Sequence, residues 1–278
     1  MDPYAENMRR DSSEARRLDE QFDILTDNIG YLIHPAIAST LPPIARIADV
    51  GTGTAEFLHR LAPAWPNAVL DGYDISATLF PPADDRPRDM HLQLMDARQP
   101  VPETLYGKYD LVHVRLLTAG LQASEWPTVV QNLTRLLKPG GALQWEECNF
   151  TSVQHLPGRP GATVDTARAM GQRFMDALWP QFAHGWDALE PEMKAAGLVR
   201  VQKDVIPTDR VHATRERLTV NGMRAIFGWA RLVADKGSPG ALSMERLEEL
   251  ERQAYKDIQS GCYVRFDVHV AWGFRPEV

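Results

Sequence analysis

The chain is poor in cysteine. Cys148 and Cys262 are the only two in 278 residues, and no other ligand-type residue stands at metal-site spacing from them. A disulfide framework and a structural zinc site are therefore excluded as organising devices, and reduced thiols are expected. Long apolar runs are missing too: nothing approaches the ~18–20 residues needed to span a bilayer. The opening Met1-Asp2-Pro3-Tyr4-Ala5-Glu6-Asn7 lacks the basic and apolar blocks of a secretory signal. A cytoplasmic protein with no membrane partner is the expectation. Positive charge is scarce, with a formal net charge of −7 and no Lys/Arg block long enough to build a basic face. That balance argues against a nucleic-acid partner. Internal repeats are absent.

Two phosphate-binding signatures are also missing, and their absence sharpens the most informative stretch, Ile47-Ala48-Asp49-Val50-Gly51-Thr52-Gly53-Thr54-Ala55-Glu56-Phe57. A dinucleotide turn requires a third glycine three residues after the second, to let helix and strand pack closely; here that position is Glu56. No Gly-Lys-Ser/Thr follows, so a Walker-type loop lacks both its lysine and its magnesium-holding hydroxyl. What is present is a buried strand, a glycine turn whose backbone approaches a ligand, and a helix start with free N–H groups. Those features suit a nucleoside without phosphates.

The 44% hydrophobic content is enough for one good core with an appended cap. Further strands follow at βαβ spacing. Ala68-Val69-Leu70-Asp71-Gly72-Tyr73-Asp74-Ile75-Ser76 ends in Asp74, a carboxylate placed to accept both hydroxyls of a ribose, whereas Asp71 sits inside the apolar run and reads as a strand-face residue. His91-Leu92-Gln93-Leu94-Met95-Asp96-Ala97 brings Asp96 to the end of a third strand, where it can bond an adenine amino group. Tyr109-Asp110-Leu111-Val112-His113-Val114-Arg115 is the fourth strand, and Gly141-Ala142-Leu143-Gln144-Trp145-Glu146-Glu147 the fifth, with Leu137-Lys138-Pro139-Gly140-Gly141 as its turn.

In order and spacing, Asp49-x-Gly51-x-Gly53, Asp74, Asp96-Ala97, Tyr109-Asp110-Leu111-Val112 and Leu137-Lys138-Pro139-Gly140-Gly141 resemble the class I S-adenosylmethionine-dependent methyltransferases over residues 45–150. More narrowly, Glu14-Ala15-Arg16-Arg17-Leu18-Asp19-Glu20-Gln21-Phe22, Gly30-Tyr31-Leu32-Ile33-His34-Pro35 and Val112-His113-Val114-Arg115 are similar to segments of the fungal small-molecule methyltransferases of secondary metabolism. The resemblance implies an α/β fold, a seven-stranded Rossmann-like sheet with a helical N-terminal lid and a helical cap insertion. It divides the chain into a lid over 1–40, a cofactor-binding core over 41–156, and cap helices with the last two strands over 157–278. The implied cofactor is S-adenosyl-L-methionine, with S-adenosyl-L-homocysteine as product. The implied binding residues are Tyr31, Asp49, Gly51, Gly53, Asp74, Ile75, Asp96, Ala97, His113 and Arg115. Ala55 departs from the family, which often has glycine there, and is expected to crowd the cofactor carboxylate.

Outside the core, apolar positions at helical spacing predict helices over 12–39, 163–179, 187–196, 215–234 and 243–260, a sixth strand near 198–206 and a last strand over 262–274. Residues 157–190 and 207–260 are expected to shape an acceptor pocket, lined by Trp179, Phe182, Trp186, Phe227 and Trp229 unless these aromatics pack the cap helices instead.

Methyl transfer from a sulfonium asks the protein chiefly to align acceptor, methyl and sulfur and to exclude water. A hydroxyl or protonated amine acceptor needs a base as well. Candidates are His113 at the end of the fourth strand and His155 in the loop after the fifth, each also readable as a hydrogen-bonded structural histidine. Glu146 or Glu147 can orient acceptor or base while the other pairs with a cation. Arg115 can anchor a carboxylate or pair with one of those glutamates. No Asn/Asp-Pro-Pro-Tyr follows the fourth strand, no magnesium-type ligand set is evident, and no metal is expected. The reading is methyl transfer to an oxygen, less often sulfur or nitrogen, of an apolar small molecule by a monomer or homodimer. Alternatives are a cofactor-binding pericyclase or rearrangement enzyme, which would leave the cofactor intact, and a non-catalytic regulator of the same fold.

Overall fold

Short apolar runs at regular spacing become seven strands of one mixed sheet in the computed structural model, which describes residues 3–277. In chain order they are β1 (Arg46–Val50), β2 (Val69–Asp74), β3 (Met90–Leu94), β4 (Tyr109–Arg115), β5 (Leu137–Pro157), β6 (Val199–Pro207) and β7 (Cys262–Phe274). Their spatial order is β3-β2-β1-β4-β5-β7-β6. The pairs β1–β2, β1–β4, β2–β3 and β4–β5 are parallel, so the order reverses beside β1, as in Rossmann-like folds that bind ligands at the carboxyl ends of their strands. The helices are α1 (Pro3–Asn7), α2 (Ser12–Ile29), α3 (Pro35–Ala38), α4 (Glu56–Leu61), α5 (Trp126–Leu136), α6 (Asp165–Ala177), α7 (Trp179–Phe182), α8 (Leu189–Ala195), α9 (Arg215–Asp235) and α10 (Met244–Ser260).

The chain gathers into two compact units. The core unit comprises residues 30–148, 184–205 and 269–277. Ala48 and Val50 of β1, Val112 and Val114 of β4, and Leu143 and Trp145 of β5 are buried with Val129, Val130, Leu133 and Leu136 of α5 and with Leu189 and Met193 of α8. Each such fully buried Val, Leu or Met side chain contributes about 1.5–3 kcal/mol. Trp126 and Trp145 pack with ring centroids 5.2 Å apart. The expected turn before the fifth strand is instead a bulge within β5: Tyr109 pairs with Leu137 and Leu111 with Ala142, so Lys138–Gly141 loop out. A side chain at Gly141 would meet the Tyr109 carbonyl at 2.7 Å, which is why the bulge requires glycine there.

The helical unit comprises residues 3–29, 149–183 and 206–268. The buried faces of α6, α9 and α10 meet through Ala167, Met170, Met223, Phe227, Trp229, Leu247, Ala254 and Ile258. Ser243 caps α10 by accepting from the Arg246 N–H at 3.2 Å, and Gly261, at φ 118°, ends it. The Asp257 carboxylate accepts from the Thr166 and Ala167 amides, satisfying donors of the first turn of α6.

Several expectations shift. The lid predicted over 1–40 breaks at Ile29, since residues 30–40 belong to the core unit, and the 157–278 segment is shared between both units. β5 continues to Pro157, so His155 lies on a strand and not in a loop. Pro180, just past the end of the helix predicted over 163–179, stands in the first turn of α7, where its missing N–H costs nothing. Phe227 and Trp229 lie in the helical core, Phe182 packs against Phe150 and Phe174, Trp179 is half-exposed, and Trp186 sits against His269 in the core unit. For Phe182, Phe227 and Trp229 packing is the observed role.

Candidate functional site

The turn after β1 is tied to the end of β2. The N–H groups of Gly51 and Thr52 both donate to the Tyr73 carbonyl, at 2.8 and 2.9 Å. The Gly53 N–H donates to Asp74 Oδ2 at 2.9 Å, while Asp74 Oδ1 accepts from the Ser76 N–H at 3.0 Å. Asp74 is thus fixed from both sides yet remains partly exposed. Asp71, by contrast, is buried and held by Arg46 and by the Tyr109 hydroxyl. The two glycines differ. At Gly51 (φ 74°) a Cβ would meet Leu117 Cδ2 at 2.5 Å, whereas at Gly53 (φ 54°) it would meet nothing within 4 Å. Gly51 serves loop packing; Gly53 leaves an open side.

Beneath the turn runs a buried chain of alternating charge. Asp49 Oδ2 accepts from the Thr52 hydroxyl at 2.7 Å, and Oδ1 lies 2.7 Å from His113 Nδ1. His113 Nε2 lies 3.4 Å from Glu146 Oε1, and Glu146 Oε2 accepts from Arg115 Nε at 2.5 Å. Strand register creates this chain, because Asp49 stands opposite His113 and Arg115 opposite Glu146. The His113 ring stacks on Phe57 of α4, with centroids 3.6 Å apart. Burial alone would strip its proton, but the Asp49 hydrogen bond and Glu146 more than offset this, and His113 is shifted upward. Burial likewise opposes ionisation of Glu146, yet Arg115 and His113 hold it down to about 2.

Glu147 has the opposite fate. Alternation sends it to the other face of β5, where Oε1 accepts from the Leu117 N–H and from the Trp145 indole N–H, at 2.9 and 2.8 Å. Among the described residues no cation pairs with it. Burial pushes it up to about 8, so it is a neutral acid at pH 7.

The remaining expected residues divide. Ile75, 37% exposed, follows Asp74 at the end of β2, beside the exposed Leu94 of β3. Asp96 faces Arg98: its Oδ1 accepts from the Arg98 N–H and Nε, its Oδ2 from Nη2. Ala97 is buried, and its carbonyl accepts from Asn132. The Tyr31 hydroxyl donates to Asp204 at 3.1 Å. Arg115 is committed to Glu146. His155 belongs to the helical unit, wedged against Gly171, and burial together with Arg168 lowers it to about 4.

A methyltransferase domain family matches residues 47–141, the span that carries the turn, Asp74 and β4. Methyltransferase grgD of Penicillium sp is 41% identical over 278 residues, with 92% of each chain covered. The chain belongs to the class I S-adenosylmethionine-dependent methyltransferases. N-methyltransferase tcpN of Claviceps purpurea is 29% identical, covering 96% of this chain and 95% of its own, and N-methyltransferase sirN of Leptosphaeria maculans is 28% identical, covering 96% and 93%. Within its class this methyltransferase is of the fungal kind.

The geometry fits the family's cofactor. A half-exposed carboxylate braced by two amides suits a ribose diol, the exposed Ile75 suits the face of a purine, and the open side of Gly53 admits a ligand close to the backbone. Ala55 does not obstruct it. Its methyl is 0% exposed, so it points into the fold and not into the space beside the turn. Sequence reasoning passed over Thr52, Phe57, Leu117 and Gln144. Of these only Gln144 left a signal, as a polar residue inside the apolar run Ala142-Leu143-Gln144-Trp145.

Proposed function

We propose that this methyltransferase transfers the methyl group to a nitrogen of an apolar small molecule in secondary metabolism, with oxygen as the second reading. The observation that carries the choice of atom is the placement of His113, fully buried with Nδ1 2.7 Å from Asp49 and Nε2 3.4 Å from Glu146. With both ring nitrogens turned to buried carboxylates, His113 does not present a free nitrogen to an acceptor hydroxyl. His155, at about 4, is too weak a base near neutrality. An acceptor with a free lone pair needs neither. The names of two relatives matched over nearly their whole length agree with nitrogen.

In this reading Asp74 holds the ribose, Ile75 covers the purine and Gly53 gives the backbone approach. Asp49, His113, Glu146 and Arg115 act as positioning residues that fix the turn from below. When bound, S-adenosylmethionine supplies an electrophilic methyl on a positively charged sulfur. The protein's contribution is alignment, which in well-oriented systems is worth about 7–11 kcal/mol.

The test is a panel of apolar amines against phenols and carboxylic acids, with the position of the transferred methyl read by NMR. Methylation confined to oxygen would refute the nitrogen assignment. Calorimetric titration with S-adenosylmethionine should show about tenfold or greater weakening in Asp74→Ala, the loss of a charge-assisted hydrogen bond. Unchanged affinity would remove Asp74 from the ribose site.

A further inference from the structure

Residues 30–34, between α2 and α3, have no regular secondary structure, so their main-chain groups need partners from elsewhere. Gln144 of β5 supplies them. Its Oε1 accepts from the His34 N–H at 2.7 Å, and its Nε2 donates to the Leu32 carbonyl at 2.9 Å. The same Nε2 donates to Glu146 Oε1 at 2.8 Å. Gln144 is fully buried and stands opposite His113 in the β4–β5 register. The segment is fastened by its side chains too. The His34 ring stacks on Trp272 at 3.6 Å, and both His34 and Tyr31 reach Asp204.

We propose that Gln144 is a positioning residue that couples the docking of residues 30–34 to the cofactor turn. The link is continuous: Leu32 and His34 to Gln144, to Glu146, to His113, to Asp49, to the Thr52 hydroxyl inside the turn. A neutral amide is the side chain that fits. It donates to a carboxylate and to a carbonyl while accepting from an amide, which neither a carboxylate nor an ammonium can do. Removing it leaves Glu146 with one fewer donor and the Leu32 and His34 backbone groups without partners, so the turn loses its support although no group that faces the open side of Gly53 has changed. The inference rests on the assignment of the Asp49–Gly53 turn and Asp74 to the cofactor.

The experiment compares wild type, Gln144→Leu, Gln144→Glu and Asp74→Ala by calorimetric titration with S-adenosylmethionine, and by amide hydrogen exchange of the cofactor-free protein. Gln144→Leu should weaken binding about tenfold, the loss of one or two buried hydrogen bonds. It should also speed exchange at the Gly51, Thr52 and Gly53 amides.

Gln144→Glu carries the discriminating signature. Around position 144 stand Glu146 on its own strand, His113 and Arg115 on β4, Asp49 on β1, and His34 with Asp204 on the docked side. Burial and the adjacent Glu146 favour the protonated acid at low pH, where its O–H fills one of the amide's two donor roles. Affinity of this variant should therefore stay within about twofold of wild type near pH 5.5 and fall about tenfold by pH 8.5, relative to wild type at the same pH. A merely structural role would lower melting temperature with no such pH dependence. If Asp74→Ala weakens binding while both Gln144 variants bind and exchange like wild type, the coupling is refuted and the site map stands. If Asp74→Ala binds normally, the site map falls and the coupling with it.

Discussion

Replacing Glu147 with glutamine should abolish a pH dependence of stability that the native fold carries. The wild-type carboxyl is fully buried, accepts at Oε1 from the Leu117 N–H and the Trp145 indole N–H, is further hydrogen-bonded by the Thr118 backbone, has no partner at Oε2 and sits at about 8 against an ordinary value of 4.5. The folded-state value is raised, so the proton's contribution to stability is complete below 4.5 and lost as pH climbs through 8. At pH 7 the unfolded carboxyl holds a proton about one time in 300 and the folded one about nine times in ten; integrating the difference gives about 3 kcal/mol lost between low pH and pH 7. Glutamine keeps the acceptor oxygen and the neutral state. Its amide nitrogen inherits the unpartnered position of Oε2, at a constant cost of about 1–3 kcal/mol that shifts the stability curve without tilting it. The slope is therefore the observable. Urea unfolding followed by tryptophan emission, at half-unit steps from pH 5 to 8, should show wild type losing about 1.3 kcal/mol per pH unit between about pH 5.5 and 7 relative to Glu147→Gln, and about half that slope at pH 8. Parallel curves would mean that Glu147 is ionised in the fold, and the account of an unpaired, buried neutral acid would be wrong.

Gly51→Ala should cost about 2–4 kcal/mol, combining left-handed backbone strain with the Leu117 clash, whereas Gly53→Ala should cost only about 1–2 kcal/mol in a urea melt yet weaken S-adenosylmethionine binding in calorimetry, because its methyl enters the open side. Equal losses of stability in the two would contradict their assigned roles. His113→Ala, which leaves Asp49 and Glu146 buried without the cation between them, should destabilise by about 3–5 kcal/mol. Since His113 is shifted upward, its contribution is complete below 6.5 and disappears as pH rises through its folded value, so the gap between wild type and variant should narrow at alkaline pH; a constant gap would refute the upward shift. Gly171→Ala should cost about 1–3 kcal/mol in thermal unfolding, because its Cβ would meet His155 Cε1 at 2.5 Å, and no loss would mean that the His155 ring has room to move.

The parts of the fold that the sequence made legible are those encoded locally. The glycine turn, the carboxylate closing β2, the exact span of β4 and of the last strand, and the paired helices before it all follow from periodicity and punctuation. Of the buried charges only the pairing of Arg115 with one of the two adjacent glutamates was legible; the rest of the row was not, because its meaning is set by register between strands far apart in sequence. Asp49, His113 and Glu146 look like three separate polar residues until β4 pairs with both neighbours and places them in one row. The same register decides between adjacent glutamates. Arg115 lies opposite Glu146, which stays ionised, while Glu147 turns to the Trp145 face and keeps its proton. Two identical side chains one residue apart differ by several pKa units for a reason that only pairing supplies.

Ala55 shows how a departure from a family pattern can mislead when it is read as a ligand contact. Glycine at this position can serve either of two needs: space beside a bound group, or a left-handed backbone. Ala55 adopts φ 62° and ψ 22° as the residue preceding α4, and its methyl has no exposed surface. The second need is therefore the operative one. Its cost is backbone strain of about 1–2 kcal/mol, set against roughly 0.8 kcal/mol for the buried methyl and about 0.4–1 kcal/mol from the stiffer unfolded chain. These terms nearly cancel, which explains why alanine is tolerated where glycine is usual. The consequence is specific: Ala55→Gly should change stability by less than about 1 kcal/mol and leave S-adenosylmethionine affinity where it was. A gain in affinity in calorimetric titration would restore the methyl to the cofactor site.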